Sequence, residues 1–144
     1  MKTKTIILLV FVVSAVLTSA GWADDEAAAI EAVIQRAYVE GIWLEGDEEK
    51  ARSGFDSSFV MQVGREGKTL SVSIDAWLER LGLKGEALDE GITHEIEVLD
   101  QVGGAAVARV RVFQGGEPRY TDYMSLYKSG DEWKIVAKTF HTHR

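Results

Sequence analysis

Three side chains able to move protons carry the chemistry that this chain offers. Asp122 and His141 fall in RYTDYMSLYKSGDEWKIVAKTFHTHR, residues 119–144, and Tyr38 falls on an amphipathic stretch near the start. A carboxylate lodged among apolar neighbours is placed to exchange a proton with a bound substrate, with a phenol or an imidazole as the donor. An isomerase, dehydratase or hydrolase of that kind needs no cofactor. The same Asp122 equally serves to hold His141, Tyr120 or a backbone group in place, and both readings stand on the sequence. His94 joins the set as a hydrogen-bonded core histidine or as a pocket residue. His141-Thr142-His143 puts two imidazoles on one side of a strand, but no spaced carboxylate completes a transition-metal site, and no metal is expected. The chain holds no P-loop, no Gly-rich dinucleotide fingerprint, no G-x-S-x-G and no H-E-x-x-H, and with no cysteine it has no thiol chemistry.

What positions these groups is a long sheet. Two runs of β-branched and aromatic residues flank Ser129-Gly130-Asp131, a hairpin signal. Pairing Lys128 with Trp133 sets Leu126 opposite Ile135, Met124 opposite Ala137, Asp122 opposite Thr139 and Tyr120 opposite His141. Pairing Lys128 with Glu132 scrambles apolar and polar on both faces, so the first register is adopted. Upstream, residues 92–100 and 105–114 alternate. Closing Val102-Gly103-Gly104 with Gln101 opposite Ala105 sets His94 against Val112 and Ile96 against Val110, with Glu95–Arg111 and Glu97–Arg109 as outer ion pairs. Closing Gly115-Gly116-Glu117 with Gln114 opposite Pro118 sets Val112 against Tyr120 and Val110 against Asp122. The inner face then reads, in rows, His94, Val112, Tyr120, His141; Ile96, Val110, Asp122, Thr139; Val98, Ala108, Met124, Ala137; and Asp100, Ala106, Leu126, Ile135. Titratable groups gather at one end of an otherwise apolar face. The outer face carries Tyr123, Tyr127, Val136 and Phe140, more apolar than a solvated surface, which predicts a homodimer through it.

Helices precede the sheet. Asp24 or Asp25 caps a helix running to about residue 44, with Ile30, Ile34, Ala37, Tyr38 and Gly41 on one stripe. Gly46-Asp47 ends it and a short helix follows over residues 48–53. Strand candidates at 59–63 and 68–72 flank Gly64-Arg65-Glu66-Gly67. Ser73 caps a third helix with Ile74, Trp77, Leu78 and Leu81 at helical spacing, Gly82 ends it, and residues 83–91 form a loop. Tyr38 and Trp77 serve as core aromatics and, as pocket walls, would stack on a flat ligand.

The chain has 144 residues, enough for one domain with a modest core. Residues 1–23 stand apart: Lys2 and Lys4, an apolar run over 6–17, and Gly21-Trp22-Ala23 make a secretory signal peptide cleaved after Ala23, too short to span a membrane comfortably. Its removal takes away two lysines and no acid, leaving 14 basic against 23 acidic residues and a net charge of −9 where the whole chain has −7. Scattered acidic charge excludes nucleic acid and anionic membrane as partners of the mature form, which is expected in the periplasm or outside the cell. Residues 24–144 form the domain.

Helices first, then a long antiparallel sheet with one apolar face, is an α+β layout. That order, together with TDYMSLYKSGDEWKIVAKTFH, resembles the nuclear transport factor 2-like superfamily, and within it the small SnoaL-like bacterial proteins described as putative lumazine-binding. Tyr38-Val39-Glu40-Gly41 with Gly46-Asp47, Asp75-Ala76-Trp77-Leu78, Asp122-Tyr123 and Phe140-His141 carry the likeness, which covers roughly residues 25–141. It implies a cone-shaped fold, a curved antiparallel sheet covered by N-terminal helices, with a pocket between them and frequent dimerisation through the outer sheet face. Enzymes of ketosteroid isomerase type in this superfamily use a pocket carboxylate and a helix-one tyrosine, roles that Asp122 and Tyr38 would imitate. The expectation is an exported domain binding a small apolar or aromatic molecule through Tyr38, Trp77, His94, Val112, Tyr120, Asp122 and His141. The alternative is a cofactor-free acid–base enzyme using Asp122 with Tyr38 or His141.

Overall fold

The computed structural model describes residues 20–144. The predicted signal peptide lies outside the described residues except for its last four. Helix α1, Ala20–Ile34, passes without a break into a π-helical segment, Gln35–Leu44. Helix α2 spans Glu48–Gly54, strand β1 Phe55–Arg65, β2 Lys68–Ser73 and helix α3 Ile74–Leu81. Strands β3 (Ile92–Val102), β4 (Ala105–Gln114), β5 (Glu117–Ser129) and β6 (Glu132–Thr142) complete the chain. The layout is α+β, as expected. The six strands form one open sheet in the order β2-β1-β6-β5-β4-β3, antiparallel except where β1 runs parallel to β6.

The helical entry differs from a single α-helix in two ways. Asp24 and Asp25 lie inside α1 rather than capping it. From Gln35 the turns widen, and a side-chain bond from Gln35 to Glu40 (3.2 Å) and the backbone bond from Glu45 N–H to Glu40 O (2.9 Å) both span five residues, the π spacing. That spacing brings Tyr38 and Trp43 onto one face, their rings edge to face at 6.3 Å. Gly41 is required here, because a Cβ would stand 2.7 Å from the Ala51 backbone nitrogen of α2. Asp47 caps α2 through the Lys50 N–H (2.9 Å), and Ser73 caps α3 through the Ala76 N–H (3.2 Å). Gly82 closes α3 in the left-handed conformation, φ 59°.

Register decides which residues face the helices. His94–Val112, Ile96–Val110, Val112–Tyr120 and Val110–Asp122 pair as expected, and Glu95–Arg111 and Glu97–Arg109 form their outer ion pairs. The hairpins themselves close more tightly, on two-residue turns with Val102 opposite Ala105 and Gln114 opposite Glu117. Leu99 and Arg119 bulge to restore the pairing further along, so Asp100 pairs with Val107 rather than Ala106. In the last hairpin Lys128–Trp133 and Leu126–Ile135 hold, but Val136 bulges out. Beyond it Ser125 faces Ala137, Met124 faces Lys138, Asp122 faces Phe140 and Tyr120 faces Thr142. The expected partners Ala137, Thr139 and His141 are thereby displaced by one position. Lys138 and Phe140 turn inward instead, and a one-residue step exchanges the faces of a strand.

The core lies between this inner face and the helices, with Ile30, Ile34, Tyr38 and Ile42 from the helical entry meeting Val110, Val112, Met124, Leu126 and Ile135. Glu26 ties α1 to the last hairpin, accepting from Lys128 Nζ (2.5 Å) and Trp133 Nε1 (2.7 Å), which hold its carboxyl below the usual range.

Candidate functional site

The site is built from the π segment and β6, with β5 beneath. Tyr38 is wholly buried, and its hydroxyl donates to Asp122 Oδ2 at 2.5 Å. Asp122 is also wholly buried, and its Oδ1 receives Lys138 Nζ at 3.1 Å. Lys138 is 5% exposed. Asp122 faces Phe140 and Met124 faces Lys138 across the β5–β6 ladder, so carboxylate and ammonium meet as diagonal neighbours on the inner face. Tyr38 Oη lies 3.5 Å from Lys138 Nζ and closes the triangle. The ammonium also rests against three ring faces, Trp77 at 4.7 Å, Phe140 at 4.8 Å and Tyr38 at 5.0 Å.

Burial governs the electrostatics. It pushes the Tyr38 phenol well above its ordinary pKa, helped by the charge of Asp122 and the bond to it, so Tyr38 remains a neutral donor. Burial also draws the Lys138 ammonium below its ordinary value, with Asp122 opposing. Removing two charges from water is costly, and the pair is tolerable because each ion has its hydrogen-bonded partner.

Over the triad opens a cavity of about 140 Å³. Five aromatic rings wall it: Tyr38 and Trp43 from the π segment, Trp77 from α3, Tyr120 from β5 and Phe140 from β6. Leu81 and Leu88 close one side, and among the described residues Lys138 is the one charged side chain in the wall. The loop between α3 and β3 is held over this side by Leu88 N–H to Trp43 O (3.0 Å) and by Arg119 to Asp89 (2.7 Å). Arg119 also lies over the Trp43 and Tyr120 rings, at 5.8 and 5.4 Å.

The residues singled out from the sequence are therefore divided. Tyr38, Trp77 and Tyr120 line the cavity, and Asp122 lies behind Tyr38 and Lys138 rather than in its wall. Val112 is wholly buried in the core and does not line it, though it pairs with Tyr120, which does. His94 is half-buried and bonds Gln35 Oε1 at 2.7 Å, a structural contact. His141 is exposed, its ring against that of His143 at 4.9 Å, because the Val136 bulge turns it to the opposite face. Among the described residues no cluster of metal-ligating side chains forms. Lys138, Trp43 and Phe140 were not singled out as site residues. Only the demand of a buried Asp122 for a counter-charge points to Lys138, and only the three successive apolar residues Ile135-Val136-Ala137 mark the bulge.

Curved open sheet, helical cover and aromatic cavity define a nuclear transport factor 2-like domain. Within that class the chain belongs to the family described as putative lumazine-binding, whose model matches residues 25–141. Among solved structures it is similar to an NTF2-like protein of unknown function from Shewanella baltica OS155, at 26% identity and a TM-score of 0.65, over 84% of this chain and 96% of that one. NTF2-like proteins of unknown function from Silicibacter pomeroyi DSS-3 and Methylobacillus flagellatus KT share the fold. The first is 22% identical with TM-score 0.68, over 84% of this chain and 98% of that one. The second is 23% identical with TM-score 0.67, over 83% and 94%. No curated protein matches the chain.

Proposed function

We propose that this chain is an exported binding domain that holds a small, flat, largely apolar molecule between its helices and its sheet. The aromatic cavity carries this reading: five rings and two leucines surround about 140 Å³, with a single ammonium to orient what enters. An apolar cavity of about 150 Å³ takes up benzene, so a single ring fits and a small substituent would reach toward the mouth. A two-ring pteridine, the ligand type in the family's description, would extend through the mouth or move a wall. Native mass spectrometry of the protein purified from its own host tests the reading. The expected result is a non-covalent adduct that Trp77→Ala loses, and a clean spectrum from wild type at every extraction would count against it.

The 2.5 Å bond between Tyr38 and Asp122 favours a second reading, a cofactor-free acid–base enzyme such as an isomerase, dehydratase or hydrolase. It would employ Asp122 with Tyr38, and His141, exposed on the other face, would take no part. Against it, both Asp122 oxygens are already engaged and neither lines the cavity, so a substrate would have to displace Tyr38 or Lys138. Conversion of the co-purified molecule on incubation, abolished by Asp122→Asn with binding retained, would establish the enzyme.

Export belongs to the same proposal. Cleavage after Ala23 would start α1 at Asp24 and place Asp24, Asp25 and Glu26 in its first turn, where acids suit the helix dipole. Glu26 would keep its bonds to Lys128 and Trp133. The intact mass of the protein from the host's periplasm or medium should begin at Asp24, and retention of residues 1–23 would refute export by this route.

A further inference from the structure

Two side chains at the cavity have N–H groups to spare. Trp43 is 9% exposed and lines the cavity, yet its buried indole N–H has no hydrogen-bond partner among the described residues. It approaches the Tyr38 hydroxyl closely enough to lower that phenol's pKa as a weak donor, but falls short of full hydrogen-bond geometry. A buried donor with no acceptor bears its whole desolvation cost, and such groups are rare unless something absent supplies the acceptor. The second donor is Lys138. Its three N–H groups have one oxygen at 3.1 Å, Asp122 Oδ1, and a distant one at 3.5 Å, Tyr38 Oη, with ring faces filling the rest of its surroundings. Both donors neighbour the Tyr38 hydroxyl, and among the described residues no carboxylate lines the cavity wall.

The charge balance selects the acceptor. Asp122 already neutralises Lys138, so an anionic ligand would bring a second negative charge toward Asp122 where little water screens it. A cationic ligand would meet Lys138 itself. A neutral carbonyl oxygen has two lone pairs, one for each donor, and adds no charge. On the binding reading given above, we infer that the ligand is a planar ring bearing a neutral carbonyl, of ketone, lactam or quinone type, whose oxygen is received by Lys138 Nζ and Trp43 Nε1.

Three probes with the same number of non-hydrogen atoms separate the possibilities: acetophenone, cumene and benzoate. Titration calorimetry on the full domain should find acetophenone bound about tenfold or more tightly than either of the others, the advantage of hydrogen bonds to buried donors. Trp43→Phe keeps a ring and removes the N–H, and should cut acetophenone affinity about fivefold or more while sparing cumene. Should that variant fail to fold, the indole N–H proton resonance of Trp43 in wild type decides: it should move downfield with acetophenone and not with cumene. Cumene binding as tightly as acetophenone, or an unmoved indole resonance, overturns the carbonyl inference while the apolar cavity stands. Benzoate binding tightest overturns it in favour of an anion site. If none of the three binds, the cavity reading falls with it.

Discussion

Lys138 brings a charge to a place where only aromatic rings, one phenol and one carboxylate can receive it. Asp122→Ala would leave that charge buried without its partner, and the expected loss is about 3–5 kcal/mol in urea unfolding. Asp122→Leu with Lys138→Met removes both ions at similar volume, and should recover most of that loss, as buried pairs often exchange for apolar ones at little cost. A double variant as unstable as Asp122→Ala would mean that shape rather than charge holds the site together. The pair also sets a pH dependence. Burial draws the Lys138 pKa below 10.5, so as pH rises the folded protein releases that proton while the unfolded chain still holds it, and stability grows. Tyr38 has the opposite sign: its pKa is raised above 10.0, so above that pH the unfolded chain sheds a proton that the folded protein keeps, and stability falls. The unfolding free energy of wild type relative to the double variant should therefore climb as pH approaches 10, while the fall above pH 10, shared by both because both keep Tyr38, should lessen in Tyr38→Phe. A difference independent of pH would take the buried charge out of the account. Of this group Asp122 and Tyr38 are legible in the sequence, one as a polar residue in an apolar row and the other on a helical stripe. Lys138 is not, because lysine next to an alternating strand reads as a solvated position unless the strand is known to slip.

The elements explain why that slip is not legible in the sequence. All three hairpins of β3 to β6 close on two-residue turns and carry one bulge each, at Leu99, Arg119 and Val136. In the first two, a three-residue turn without a bulge produces the same pairing in mid-strand, since the two offsets cancel. The Val136 bulge has no such compensation and lies between the turn and the site, so its offset falls on Lys138, Phe140 and His141. Its consequence for His141 is direct: His141→Ala should change stability by no more than about 0.5 kcal/mol and leave ligand binding intact, as an exposed residue away from the cavity. A loss of binding in that variant would restore His141 to the inner face. The helical elements carry another constraint, the contact of the π segment with α2. Gly41→Ala would push a methyl to 2.7 Å from the Ala51 nitrogen, a backbone atom that cannot yield, and should cost about 1–3 kcal/mol. Gly64→Ala, with nothing within 4 Å and an ordinary backbone angle, is the control and should remain within about 0.5 kcal/mol. Helix periodicity in the sequence marks the buried stripe of this segment correctly. It does not reveal the π geometry, within which Gly41 packs against α2.

At the scale of the molecule, the order of helices and alternating strands gives the α+β layout, because each element has one apolar face to cover, and the resemblance to the nuclear transport factor 2-like superfamily adds the cone. Which molecule would cover the outer sheet face is a question of the same kind. That face keeps Tyr127 at 60% and Tyr123 at 44% exposure, with Val102 at 74% beside the β3–β4 turn. Val102, Val107, Tyr127 and Val136 border one shallow depression on it. Phe140, expected there, has turned inward to the cavity, so the patch is smaller than the sequence suggests. Next to it Arg109 and Arg111 pair with Glu97 and Glu95, a ladder of both signs that a two-fold axis would match to itself. An apolar centre flanked by paired charges is the composition of an interface rather than of a solvated face. The expected state is therefore a homodimer through this face, leaving the cavity on the far side of the sheet untouched. Light scattering of the mature domain at micromolar concentration should return twice the chain mass. Tyr127→Glu, placing a charge in the depression, should return the mass of one chain with ligand binding unchanged. Wild type that scatters as a single chain at those concentrations would refute the dimer, and Tyr127→Glu that remains dimeric would move the interface to another surface.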